Sequence, residues 1–172
     1  MLQIVVAQYH ENIDWTQGLN AIVYKKGIDL PNVGREASTW LHYICTNYNN
    51  LPEYICLLQG DPFTHFPNIL EWISKWEPRP LPIYFLGPRL YDNSFGSPHH
   101  WRGQIPIGTY YKEFFTNKPP RLFIFSAGAQ YLFHRSRVLN KPLEWFQKLY
   151  EKSMEDPISP WVFERLWPEI FR

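Results

Sequence analysis

Three apolar runs, each closed by polar turn residues and separated by segments of helical spacing, constrain this chain more than any other feature. The clearest unit spans Leu30 to His65. Pro31-Asn32-Val33-Gly34 reads as a turn, and Arg35 to Tyr48 carries Trp40, Leu41, Ile44, Cys45 and Tyr48 at helical spacing. Asn49-Asn50-Leu51-Pro52 ends that helix, because proline cannot continue it and asparagine tolerates the turn. Tyr54 to Leu58 is a continuous apolar run, as expected of a strand covered on both faces. It gives way to Gln59-Gly60-Asp61-Pro62. Gln3 to Gln8 and Asn20 to Tyr24 read as two earlier strands, with a short helix after Asp14 through Trp15 and Leu19. The order β-α-β-α-β predicts a mostly parallel sheet with right-handed crossovers.

Beyond the third strand, the spacing predicts helices over 66–76, 108–115, 142–153 and 160–171 and strands over 83–86, 121–125 and 130–134, with a helical turn over 135–139. Pro78, Pro80 and Pro82 read as a rigid linker, and residues 91–105 as an irregular functional loop. With 172 residues and no repeat or low-complexity divider, the expected fold is one α/β domain over 1–172.

Composition narrows the function classes. Charged residues make up 19% and the net charge is +1, so no basic stripe points to nucleic acid. Aromatic residues reach 18%, which suits either a large aromatic core or sugar-stacking clefts. Cys45 and Cys56 fall on apolar faces and read as free thiols of a reducing compartment. The N-terminal apolar run is too short for a leader or a membrane span, so a cytoplasmic location without a transmembrane segment is expected.

Ligands of open α/β sheets bind at the carboxyl ends of strands, which selects Asp61 and Glu11. Gly34 permits close backbone approach, a helix N-terminus favours an anion, and Arg35 could clamp a phosphate. Arg35, Ser38, Thr39, His42 and Thr46 form a polar face that is either solvated or turned to a cleft. Asp61 and His65 could hold a divalent metal carrying a diphosphate, or Asp61 could simply cap its turn. Glu164, set in an aromatic helix, is either a general base with a raised pKa or one half of an ion pair with Arg165, Arg135 or Arg137. Arg135 or Arg137 could neutralise a leaving phosphate. A metal-dependent hydrolase built on Asp61, His65 and His99 or His100 is a further alternative.

With these residues in view, the chain resembles the domain of unknown function 3431 family. The matching segments are 5–11 with Trp15, 24–27, 31–36, Leu58-Gln59-Gly60-Asp61-Pro62-Phe63 with His65, Gly128-Ala129-Gln130 and Glu164-Arg165-Leu166-Trp167. More distantly it is similar to family-2 type glycosyltransferases of the GT-A fold, in which Asn-x-Gly opens a helix and a hydrophobic strand ends in D-x-D. Asn32-x-Gly34, Ile55 to Leu58 and Asp61 follow that order, with Gln59 where the first aspartate would stand. The resemblance implies a single-domain three-layer sandwich with a mostly parallel central sheet. It implies sugar transfer, inverting in outcome, from a nucleotide sugar to a glycan or other hydroxyl acceptor. Glu164 would be the base; Glu11, Asn32, Gly34, Arg35, Gln59, Asp61, Gln130 and Arg135 would bind substrate, with Mn2+ or Mg2+ on Asp61 and His65. A non-catalytic carbohydrate-binding or interaction domain that keeps the fold is the competing expectation.

Overall fold

The computed structural model describes residues 1–79, 83–99 and 103–172, without the side chain of His99. Pro80, Pro82 and His100 therefore lie outside the described residues. The chain is mixed α/β. Its main sheet is built from β1 (Leu2–Gln8), β2 (Ala21–Lys25), β3 (Tyr54–Gln59), β4 (Tyr84–Phe85) and β9 (Tyr131–His134), ordered β2-β1-β3-β9-β4. β1 pairs in parallel with β2 and β3, whereas β9 is antiparallel to both β3 and β4. The sheet is thus mixed. The reversal of β9 has a plain cause. The chain reaches it through Ala127 to Ala129 at the carboxyl end of β3, so Tyr131 starts opposite Leu57 and His134 ends opposite Tyr54.

Period-2 alternation sends Val5, Ile55, Leu57, Tyr131 and Phe133 into one apolar cluster and Ile4, Val6, Cys56, Leu58 and Leu132 into another. The first cluster is covered by α1 (Arg35–Asn47), α3 (Ile107–Phe114), α5 (Leu143–Glu155) and α6 (Ser159–Ile170). The second is covered by α2 (Ile69–Lys75) and by Trp15, in a three-residue 3-10 turn over Asp14–Thr16. This turn replaces the expected helix after Asp14, whose own backbone N–H donates to Asn12 Oδ1 at 2.7 Å. Trp40 and Leu41 on α1 are fully buried, and the Trp40 ring meets Trp167 of α6 edge-on at 5.5 Å. Truncating a buried tryptophan of this kind costs about 3–5 kcal/mol.

The segment read as an irregular loop holds ordered backbone. β5 (Arg89–Asp92) pairs antiparallel with β8 (Phe123–Ser126) in a separate two-stranded sheet. β6 (Pro98–His99) and β7 (Gly103–Gln104) pair in another. β8 overlaps the strand expected over 121–125, whereas β5, β6 and β7 escape a sequence reading because they are two to four residues long and carry polar or turn-forming residues. The helical turn α4 (Ser136–Leu139) follows β9. No helix among the described residues is long and apolar enough to cross a membrane.

Candidate functional site

The carboxyl ends of β1, β2 and β3 open onto two adjoining hollows of about 360 and 280 Å³. Arg35, Glu36 and Gln59 line both. Glu11, Lys26 and Asn32 complete the first; His65, Gly128, Trp161 and Glu164 complete the second. A larger hollow of about 490 Å³ lies on the other side of the fold, against Trp72, Trp76 and Tyr84. Its rim reaches Arg79, next to residues outside the description, and it gathers none of the predicted side chains.

Backbone conformation builds the first wall. Gly34 has φ 72° and Arg35 φ 48°, two successive left-handed residues at the start of α1. A Cβ on Gly34 would lie 2.5 Å from the Ser153 carbonyl oxygen of α5 and 2.7 Å from Ser38 Cβ, so only glycine fits. Ala129, in the opposite wall, is the other non-glycine residue with positive φ among those described. Left-handed backbone outside glycine is costly and clusters at sites where the surrounding fold enforces it.

Lys26 holds the loop that carries Asn32. Its ammonium donates to the Val33 and Pro31 carbonyls at 2.7 and 3.2 Å and to the Ser38 hydroxyl. Burial pushes its pKa down to about 8, against the attraction of Glu36. Ser38 and Thr39, expected on a solvated or cleft-facing surface, are buried at 1% and 0% exposure. Ser38 is spent on this loop, donating to Val33 O at 2.6 Å.

Three carboxylates ring the cleft. Glu11 packs on Gly60, where a Cβ would lie 2.5 Å from its Oε2, and accepts from Tyr9 N at 2.6 Å. Burial raises the pKa of Glu36 and Glu164, opposed in Glu36 by Arg35 and in Glu164 by Arg165 and Arg35. Glu36 is raised further by Glu164. The Glu164 carboxylate meets Arg165 Nη1 at 3.1 Å and accepts a backbone hydrogen bond from Gly128. Arg165 is itself anchored to Asp92 Oδ2 at 2.9 Å. Glu164 is thus ion-paired with Arg165 and at the same time lines the second hollow. Arg35 Nε lies 3.5 Å from Glu36 Oε2, with the guanidinium over the Trp161 ring.

The remaining expected residues are placed differently. Gln130 is fully buried; it accepts from Gln59 N and donates to Leu86 O and Pro62 O, at 3.2, 3.0 and 3.3 Å. These bonds tie the ends of β3 and β4 together and leave its amide nothing to offer a substrate. Arg135 follows His134 at the opposite end of β3, roughly 16 Å from the cleft at about 3.3 Å per strand residue, and donates to Leu51 O at 3.1 Å. The antiparallel course of β9 carries it there. Asp61 accepts from Thr64 Oγ1 at 2.7 Å and Phe63 N at 3.1 Å, and the Thr64 hydroxyl foremost holds its carboxyl below the usual range. It caps its turn and lines neither hollow. The His65 ring does line the cleft, packed where a Cβ on Gly128 would lie 2.3 Å from its Cδ2.

Asp61 and His65 would supply at most two of the six ligands of Mn2+ or Mg2+, leaving the rest to water and a diphosphate. No group of three or more His, Cys, Asp or Glu side chains that could hold a metal is present among the described residues. The sequence reading passed over Lys26, Glu36 and Trp161. Lys26 was within reach of the strand-end rule, since it directly follows β2. Glu36 and Trp161 carry no local signal, because nothing near them in sequence tells which helix ends converge.

No protein-family model, no curated protein and no solved structure matches this chain.

Proposed function

We propose that this protein is a small glycosyltransferase with a GT-A-like three-layer sheet, moving a sugar from a nucleotide-sugar donor to a hydroxyl acceptor with inversion. The observation that carries the reading is a pair of adjoining hollows across the ends of parallel strands, Glu11 in one, Glu164 in the other and Arg35 lining both. The nucleoside would occupy the hollow beside Glu11 and Asn32, with the diphosphate against Arg35, which lines both hollows. The sugar would stack on Trp161. Glu164 takes the proton of the acceptor hydroxyl as its oxygen bonds to the anomeric carbon, while the bond from that carbon to the diphosphate oxygen breaks. Arg35 neutralises the charge developing on the departing nucleoside diphosphate. Burial supports the base role, since a carboxylate with a raised pKa is a stronger proton acceptor. Gly128 N–H and Arg165 hold it in place.

Glu164→Gln is expected to abolish transfer while nucleotide-sugar binding survives. A panel of nucleotide sugars, with and without Mn2+, read by thermal shift, tests binding; failure of every member to stabilise the protein overturns the reading. The competing reading, a carbohydrate-binding domain without chemistry, is favoured by the 3.1 Å Glu164–Arg165 pair and by Gln59 in place of a first carboxylate. It predicts sugar binding unaffected by Glu164→Gln and no turnover.

A further inference from the structure

The β5–β8 ribbon carries an apolar face left exposed among the described residues. Register puts Leu90 opposite Phe125, Tyr91 opposite Ile124 and Asp92 opposite Phe123. Directly opposed residues of an antiparallel pair share a face. Phe123, Phe125 and Asp92 turn inward and are buried, at 1%, 3% and 6% exposure. Tyr91 and Ile124 turn outward, and by the same alternation so does Leu122. They are exposed by 59%, 41% and 50%, and Phe95, in the turn beyond β5, by 77%. Isoleucine at Ile124 of β8 and leucine at Leu122 just before it are unusual where that face meets water, since such faces normally read polar.

The charges around this row have one sign. Arg89 stands at one end of the ribbon, and Arg121 precedes the row at the other, with Lys118 just upstream. All three are exposed, and none forms an ion pair with a carboxylate among the described residues, although the Arg89 guanidinium lies over the Phe85 ring at 5.1 Å. The acidic residues between 83 and 128 are Asp92 and Glu113. Asp92 is buried on Arg165, and Glu113 is paired with Lys152 at 3.2 Å. The ribbon also borders the cleft, since Leu90 lines the hollow that holds Glu164.

We propose that the outer face of the β5–β8 ribbon docks on an anionic lipid surface, with Tyr91, Ile124, Leu122 and Phe95 entering the interface and Arg89, Lys118 and Arg121 meeting the headgroups. Exposed apolar side chains flanked by cations that no carboxylate neutralises are the arrangement such a surface recognises, because apolar burial and charge attraction add. The alternative of a second copy fits less well. These four apolar side chains expose on the order of 500 Å², below the roughly 800 Å² per partner of a stable association. Two copies would also bring the same cations face to face. Docking would hold the mouth of the cleft beside the membrane, so that hydroxyl-bearing lipid headgroups could reach it.

The test is co-sedimentation of the full chain with phosphatidylcholine vesicles, with and without phosphatidylserine, at low and high salt. Binding is expected to the phosphatidylserine vesicles, falling with salt. Tyr91→Ser combined with Ile124→Ser is expected to weaken it by about tenfold or more, and Arg89→Gln or Arg121→Gln by about fivefold each. These positions are exposed, so circular dichroism should show the fold retained. Absence of binding overturns the proposal, as does equal binding to neutral vesicles or binding indifferent to the apolar variants. Concentration-dependent dimerisation that Tyr91→Ser abolishes would assign the face to a second copy instead. Glu164→Gln is expected to leave vesicle binding unchanged, which separates this proposal from the proposed sugar transfer.

Discussion

The Arg35 guanidinium lies 5.5 Å from the centroid of the Trp161 ring and 3.5 Å from the Glu36 carboxylate, joining the start of α1 to the start of α6 across the cleft. A cation over an aromatic face keeps its outer edge available to a ligand. The Arg35 side chain is 56% exposed, so its ion pair adds little to stability and its outer edge is open to solvent.

Arg35→Ala should therefore weaken binding of a nucleoside diphosphate by about 1.5–3 kcal/mol, the worth of a charge-assisted contact, with little change in thermal stability. Isothermal titration at two salt concentrations checks it. Arg35→Lys is expected to recover only part of the loss, since lysine lacks the bidentate fork.

Gly34→Ala should destabilise the fold by at least about 2 kcal/mol, since it forces a left-handed residue and a clash with a backbone carbonyl. At about 2–4 °C per kcal/mol for a chain of this size, the melting temperature should fall by roughly 4–8 °C or more. Differential scanning calorimetry reads this directly.

Glu164 binds its proton more tightly folded than unfolded, because burial raises its pKa. Its contribution is therefore fully present below the unfolded value, about 4.3, and lost as pH rises through the folded one. Relative to the wild type, Glu164→Gln should gain stability at pH 7 and show no such gain at pH 4. Urea denaturation at the two pH values tests the sign. Loss of stability at pH 7 would mean that the Arg165 and Gly128 contacts outweigh the burial cost.

Lys26 titrates in the opposite sense. Its pKa is pushed down to about 8, so the folded chain binds fewer protons than the unfolded chain between pH 8 and about 10.4. The Lys26 term then makes stability rise with pH across that window. A wild-type profile compared with that of Lys26→Met isolates it, since the tyrosines titrating nearby are common to both. Lys26→Met should also be less stable overall, by about 1–3 kcal/mol, because the Val33 and Pro31 carbonyls lose their donor.

Asp61→Asn offers a contrast. The carboxylate caps its own turn through Phe63 N and Thr64 Oγ1. Asparagine keeps an acceptor, so a stability loss of about 1 kcal/mol or less is expected. A loss of nucleotide binding on Asp61→Asn would restore this residue to the site.

Much of this was legible in the sequence for a local reason. Strand and helix periods act over neighbouring residues, so β1, β2, β3, α1, α5 and α6 fall within a few residues of where the apolar spacing puts them. The strand-end rule then locates Glu11, because the end of a run of apolar residues is itself a local feature; applied to β3 it picks Asp61, which caps its own turn and lines neither hollow. The direction of β9 was not legible, because it depends on which end of the sheet the chain returns to. That single reversal removes Arg135 from the cleft. Gln130 was misread for a related reason, since burial between three backbone segments leaves no mark in its own neighbourhood. Only the tertiary structure brought Trp161 and Glu164 against Arg35 and Glu36, some 125 residues apart in the chain. Packing of α1 against α6 decided it, through contacts such as Trp40 with Trp167, whose partners no sequence period can specify.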